Sequence, residues 1–238
     1  MKMTSRYGLA LGLFGAGVLL GLLLTGMILW AYAETAYYGF PHMADAHLTS
    51  LRCPHFMTQD EHATIQATIT NTTGHPATFG VISWVSVPLA WERQTEHKHL
   101  AAGETWHWSR EIGPENRDLR HFIMASVYTF GGYPIPQRQG WCGVFVLPLR
   151  GLRGEIVLWL GAVLTLALLF AGGWQLRRVW QERRVSAAGR WAAGFFLFVT
   201  PLNLVLAWLG LWMLGVGALV AEALLLLIVG LSWLMHAP

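Results

Sequence analysis

The chain has 238 residues, 54% of them hydrophobic and 12% charged, with a formal net charge of +3 at neutral pH. A mean hydropathy of +0.43 is high for a soluble domain and marks a membrane protein. The basic balance, a pI near 9.1, comes mostly from one short arginine-rich loop. No nucleic-acid partner is expected on that account; loop arginines near spans hold helices and meet anionic headgroups.

An uncharged apolar run from Tyr7 to Trp30 comes first. At ~1.5 Å per residue it is long enough to cross a hydrocarbon core of ~30 Å. Within it, Gly8, Gly12 and Ala16, and then Gly17 and Gly21, recur four residues apart. Small residues at that spacing let helix backbones approach, so these glycines are candidate contacts for another membrane subunit. Ala31-Tyr32-Ala33 is a possible signal-peptidase site, but the apolar run exceeds an ordinary signal core. Residues 1–32 are expected to remain as an anchor.

Residues 33–154 read as an extracytoplasmic β-rich domain. In Ala63–Thr70, Ala63, Ile65, Ala67 and Ile69 alternate with polar residues, the signature of a half-buried strand. Asn71–Pro76 is a turn, and a second strand runs from Thr78 to Val87 before Pro88. Residues up to Leu100 read as a polar loop. Strands follow at Thr105–Ile112, His121–Phe130 and Trp141–Leu147, and another is expected around Leu48–Cys53. Six or seven strands at this spacing fit an antiparallel β-sandwich.

Two stretches, ATIQATITNTTGHPATFGVISWVSVP and HLAAGETWHWSREI, resemble the immunoglobulin-like modules of exported bacterial proteins, of the cell-adhesion-related type. In those modules an Asn-containing turn separates two strands, and a Gly-Glu step opens a later one. The resemblance assigns these roles to Asn71, Gly74, Gly103 and Glu104. It covers less than half of the chain and implies a fold without an activity.

Cys53 and Cys142 are the only cysteines and both fall in this outward region. An oxidising compartment favours a disulfide between them. Nine of the ten histidines lie in the same region, and His97, His99 and His107 are the candidate ligands for copper or zinc. No HExxH or CxxC accompanies them. Trp106 and Trp108 share a strand face and are the candidate aromatic contact pair.

Three further apolar runs, Ile156–Trp174, Trp191–Leu209 and Leu211–Leu234, complete four spans. The last two read as a tight hairpin. Between the second and third, the loop 175–190 holds Arg177, Arg178, Arg183, Arg184 and Arg190 against Glu182, and the N-terminal tail holds Lys2 and Arg6. Positive charge flanking spans closely is retained inside, which puts both termini in the cytoplasm and 33–154 outside a plasma or inner membrane. Glu222 lies mid-span, where a charge costs ~3 kcal/mol on insertion scales. Asn203 lies at similar depth across the hairpin and is its expected hydrogen-bond partner.

The fold expected is thus α+β: four transmembrane helices (1–32 and 155–238) with an Ig-like antiparallel β-sandwich inserted between the first and second. The chain carries no P-loop, CxxCH or GxSxG, and no intraspan histidine for haem. A non-enzymatic accessory or scaffold subunit without cofactor follows, partnered by other membrane subunits and the bilayer. The alternatives are a copper- or zinc-handling module using the three histidines, and a small transporter or channel-like subunit using Glu222.

Overall fold

A long apolar run can satisfy its backbone in lipid only as a helix, whereas the alternating middle of the chain needs neighbouring strands. The computed structural model describes residues 2–182 and 187–235, with side chains for 6–181 and 189–231, and shows both solutions. Helix α1 spans Lys2–Tyr37 and is followed by seven strands: β1 (Phe56–Thr58), β2 (Ala63–Thr70), β3 (Ala77–Val87), β4 (Ala90–Leu100), β5 (Thr105–Ile112), β6 (Phe122–Gly131) and β7 (Arg138–Leu147). Helices α2 (Gly154–Glu182), α3 (Ala187–Trp208) and α4 (Trp212–Met235) close the chain. It divides into a helical unit, residues 1–29 and 158–238, and a strand unit, Trp30–Val157.

All four helices are long and apolar enough to cross a membrane. They outlast the spans that hydropathy marks. Helix α1 continues to Tyr37 because Ala31-Tyr-Ala-Glu-Thr-Ala36 contains good helix formers, and Trp30 Nε1 donates to Glu34 Oε1 one turn on, at 2.6 Å. Residues Leu209–Leu211, with Gly210 at φ +72°, turn α3 into α4. Arg183 and Arg184 of the basic loop lie outside the described residues.

In the strand unit one sheet has the order β1-β7-β6-β3-β4 and a second pairs β2 with β5. Ile65, Ala67, Ile69, Trp106, Trp108 and Ile112 from the smaller sheet share one core with Val81, Val85, Ile123, Val127, Val144 and Val146 from the larger. Burial on that scale is the main stabilising term of the unit. The buried Arg110 guanidinium donates to Ser83 O at 3.1 Å and Ser83 Oγ at 2.9 Å and pairs with Glu92 at 3.2 Å. Burial lowers the Arg110 pKa, and the Glu92 charge opposes that shift.

Three sequence expectations need correction. The sheet is mixed rather than antiparallel: β1 runs parallel to β7, with Phe56 opposite Phe145 and Thr58 opposite Leu147. Leu48–Cys53 is not a strand. It is held by single bridges, His47 to Gln139 and Arg52 to Gln66, and Pro54 stops any ladder before β1 begins. Finally, Ala90–Leu100 is β4, paired along its length with β3, rather than a loop. Its last residue is buried and nearly all the others are open to solvent, so it lacks the one-sided alternation by which strands are recognised.

The turn residues singled out by the Ig-like resemblance stitch two loops together. Asn71 Nδ2 donates to the carbonyls of His75, Leu100 and Ala101 at 2.9–3.1 Å, and Asn71 Oδ1 accepts from Thr73 N at 3.0 Å. Gly103 N donates to Asn71 O at 3.0 Å, while Glu104 Oε2 accepts from Ala101 N at 2.8 Å. The amide thereby satisfies the buried Leu100 carbonyl along with its two part-buried neighbours.

The two-residue β3–β4 turn carries Leu89 at φ +64°, and the loop before β6 carries Leu119 at φ +46°. A left-handed conformation costs a non-glycine residue ~1 kcal/mol or more. One carboxylate holds both: Asp118 Oδ1 accepts from Leu89 N at 3.4 Å and Leu119 N at 2.8 Å, while Oδ2 accepts from Tyr38 OH at 2.5 Å. Burial, the hydrogen bond to Asp118 and its charge all raise the Tyr38 phenol pKa above its usual value.

Candidate functional site

Close helix approach builds the site in the helical unit. A Cβ on Gly17 would lie 2.8 Å from the Leu169 backbone nitrogen, and one on Gly21 would overlap the Thr200 methyl and stand 3.1 Å from that of Thr165. These two glycines are therefore consumed inside the chain, by α2 and α3. Gly8 and Gly12 have nothing within 4 Å of a notional Cβ among the described residues, so of the four candidate glycines these two stay open.

Behind this approach lies a buried polar cluster shared by α3 and α4. Glu222 on α4 is wholly buried. Thr200 Oγ1 donates to Glu222 Oε1, and Asn203 Nδ2 donates to Oε2 at 3.1 Å. Thr200 and Asn203 sit three residues apart on α3, on one face, with Pro201 between them. Thr25 of α1 and Thr165 of α2 are also fully buried. Their hydroxyls and Asn203 Oδ1 have no hydrogen-bond partner among the described residues.

The pair read from the sequence, Asn203 and Glu222, is thus brought together. Thr200, Thr25 and Thr165 are not identifiable beforehand, because a threonine in a span ordinarily bonds back to its own helix. The only available signal is a lone threonine in each of the first three apolar runs. Chemically, a carboxyl group with two donors on it is a clasp.

The Glu222 clasp can be tested directly. In Glu222→Gln, the new amide oxygen accepts from Thr200, and Asn203 turns its spare Oδ1 to accept from the new NH2. Stability should stay within about 1 kcal/mol of wild type. Glu222→Ala loses both bonds and leaves a cavity, and should cost about 2–3 kcal/mol in detergent unfolding. Equal losses in both variants would contradict the clasp.

The strand unit disperses most of its candidates. Cys53 and Cys142 are joined by a disulfide, Cα–Cα 6.4 Å apart. Trp106 and Trp108 do share a face, but it is the inner one. They are 9% and 2% exposed, and Trp108 Nε1 donates to Glu96 Oε1 at 3.1 Å. That corrects their reading as a contact patch, since the polar partners Thr105, His107, Ser109 and Glu111 take the outer side. His97 and His99 lie exposed on β4; His97 packs edge-on to Phe130 and His99 bonds Thr78 Oγ1 at 3.2 Å. His107 sits on the outer face of the other sheet, so the three do not converge. No group of three metal-binding side chains occurs among the described residues. An open polar cleft of about 540 Å³ includes Arg52, His62 and Arg153, but its Glu61 carboxylate is occupied by Thr58 N and Gly154 N, at 2.9 and 2.7 Å.

No protein family matches the chain, and no curated protein matches it in sequence. Solved structures align over part of it. A β-glucuronidase of Bacteroides uniformis covers 37% of this chain at 14% identity and TM-score 0.29, and the chain spans 12% of that enzyme's length. The CARDB domain of a Pyrococcus furiosus protein covers 41%, with 84% of its own length, at 10% identity and TM-score 0.33. Red sea bream transglutaminase covers 49%, with 18% of its length, at 8% identity and TM-score 0.35. Similarity at this level says nothing about what the chain does.

Proposed function

We propose that the chain is a non-enzymatic accessory subunit of a membrane complex. In this reading four spans anchor it with both termini in the cytoplasm. Residues 33–154 form an Ig-like β-sandwich, inserted between the first two spans and displayed outside a plasma or inner membrane to recognise a partner protein. The observation that supports it is β4. This eleven-residue strand ends the five-stranded sheet, with β3 on one side and no strand on the other among the described residues. An open edge accepts an extended segment through main-chain hydrogen bonds. Glu92, Arg93, Glu96 and Lys98 protect this edge from pairing with itself and select a partner of matching charge.

A photo-crosslinking residue at Thr95 in native membranes should give one discrete adduct, and the same residue at Thr68 on β2 should give none. A chain that leaves the membrane alone in mild detergent, with no adduct at Thr95, would overturn the reading.

A second reading, a small transporter or channel-like subunit, is favoured by the buried Glu222 and by Asn203 Oδ1 beside it, which has no hydrogen-bond partner among the described residues. It requires that Glu222→Gln abolish transport while assembly persists. The copper or zinc reading is left with His97 and His99 alone on one face.

A further inference from the structure

The strand unit is asymmetric in what its two ends expose. By register, Val87 and Ala90, Ala63 and Ile112, and Phe122 and Phe145 lie at one end. The flanking helices attach at that same end: the Trp30 ring stands 6.1 Å from Phe122, and Gly154 N donates to Glu61 Oε2 at 2.7 Å. Gly154 opens the second span and Trp30 closes the uncharged run of the first, and a tryptophan at the end of such a run is an interfacial anchor.

Three loops at this end carry exposed leucines: Leu89 at 95% exposure, Leu119 at 50%, and Leu149 and Leu152 between β7 and α2. The opposite end has the loops 71–76, 101–104 and 132–137, where Tyr133 is the one exposed large hydrophobic side chain among the described residues. Leu89 and Leu119 are moreover kept in left-handed backbone by Asp118, so their outward presentation is enforced against local preference. Strain maintained at an exposed apolar residue indicates use.

We infer that the loops carrying Leu89 and Leu119 insert into the interfacial layer of the bilayer that α1 and α2 cross, with Leu149 and Leu152 at the same end of the strand unit. The leucines seat in the acyl boundary, and the strand unit gains a second attachment besides its helices. The occupant is lipid because Trp30 and Gly154, the residues through which the strand unit continues into α1 and α2, lie at this same end of it. This inference rests on the spans and is independent of the accessory-subunit reading.

The test uses the full chain in phosphatidylcholine nanodiscs, with Leu89→Cys, Leu119→Cys or Tyr133→Cys labelled by an environment-sensitive fluorophore. The native cysteines are disulfide-bonded and do not react. Labels at 89 and 119 should emit blue-shifted light and be quenched several-fold more by spin-labelled lipid than the label at 133. Water-like emission at 89 and 119 would overturn the inference. Blue-shifted emission without quenching by lipid would also overturn it, by assigning the patch to a protein surface such as a second copy.

Discussion

Gly143→Val is expected to unfold the strand unit under conditions where the wild type is fully folded. Gly143, on β7, lies against the last turns of α1: a Cβ there would overlap the Ala31 carbonyl and stand 2.6 Å from Thr35 Oγ1. Ala31 is completely buried, and Thr35 Oγ1 is itself bonded to Ala31 O at 2.8 Å, so neither group has room to withdraw. Overpacking against backbone, with no flexible side chain to move, costs about 3 kcal/mol or more. The midpoint of thermal unfolding of the full chain in detergent should fall by roughly 10 °C or more, with Gly143→Ala intermediate. An unchanged midpoint would mean that Ala31–Tyr37 does not pack on β7.

The second large effect is expected on removing the crosslink. Cys53 and Cys142 close a loop with a sequence separation of 89, whose entropy alone is ~4 kcal/mol. The double variant Cys53→Ala, Cys142→Ala should lose about that amount in denaturant unfolding. Its midpoint should no longer respond to reductant, whereas the wild-type midpoint should fall on reduction. A reductant-insensitive wild type would show that the shared core by itself fixes residues 52–58 against β7.

The helices were the most legible part of the sequence, because an uncharged run has one structural solution in lipid. The Asn203–Glu222 pair was legible for a related reason: a carboxyl group in such a run stands out, and a short hairpin allows its partner to be counted across. Helix ends were not legible, since Ala31–Tyr37 and Arg177–Glu182 stay helical after hydropathy has fallen. Alternation in Thr105–Ile112 revealed that Trp106 and Trp108 share a face. Which face was inner required weighing the polar set opposite, which includes His107. That same consideration separates His107 from His97 and His99. β4 escaped notice because solvent on both sides erases the alternation, and β1 because three residues carry no period at all.

The parallel pairing of β1 with β7 has a consequence for biogenesis. A chain made from its N-terminus presents Phe56 early, yet the strand that receives it ends only at Leu147, seven residues before α2 begins. At ordinary rates of synthesis the delay is on the order of 10 s. Throughout it Cys53 is a free thiol and the outer β7 edge of the growing sheet does not exist. Closure of the sheet therefore waits until the chain has been made almost to the start of α2. A pause in synthesis between residues 58 and 138 would leave β1 and Cys53 without the strand and the thiol that hold them.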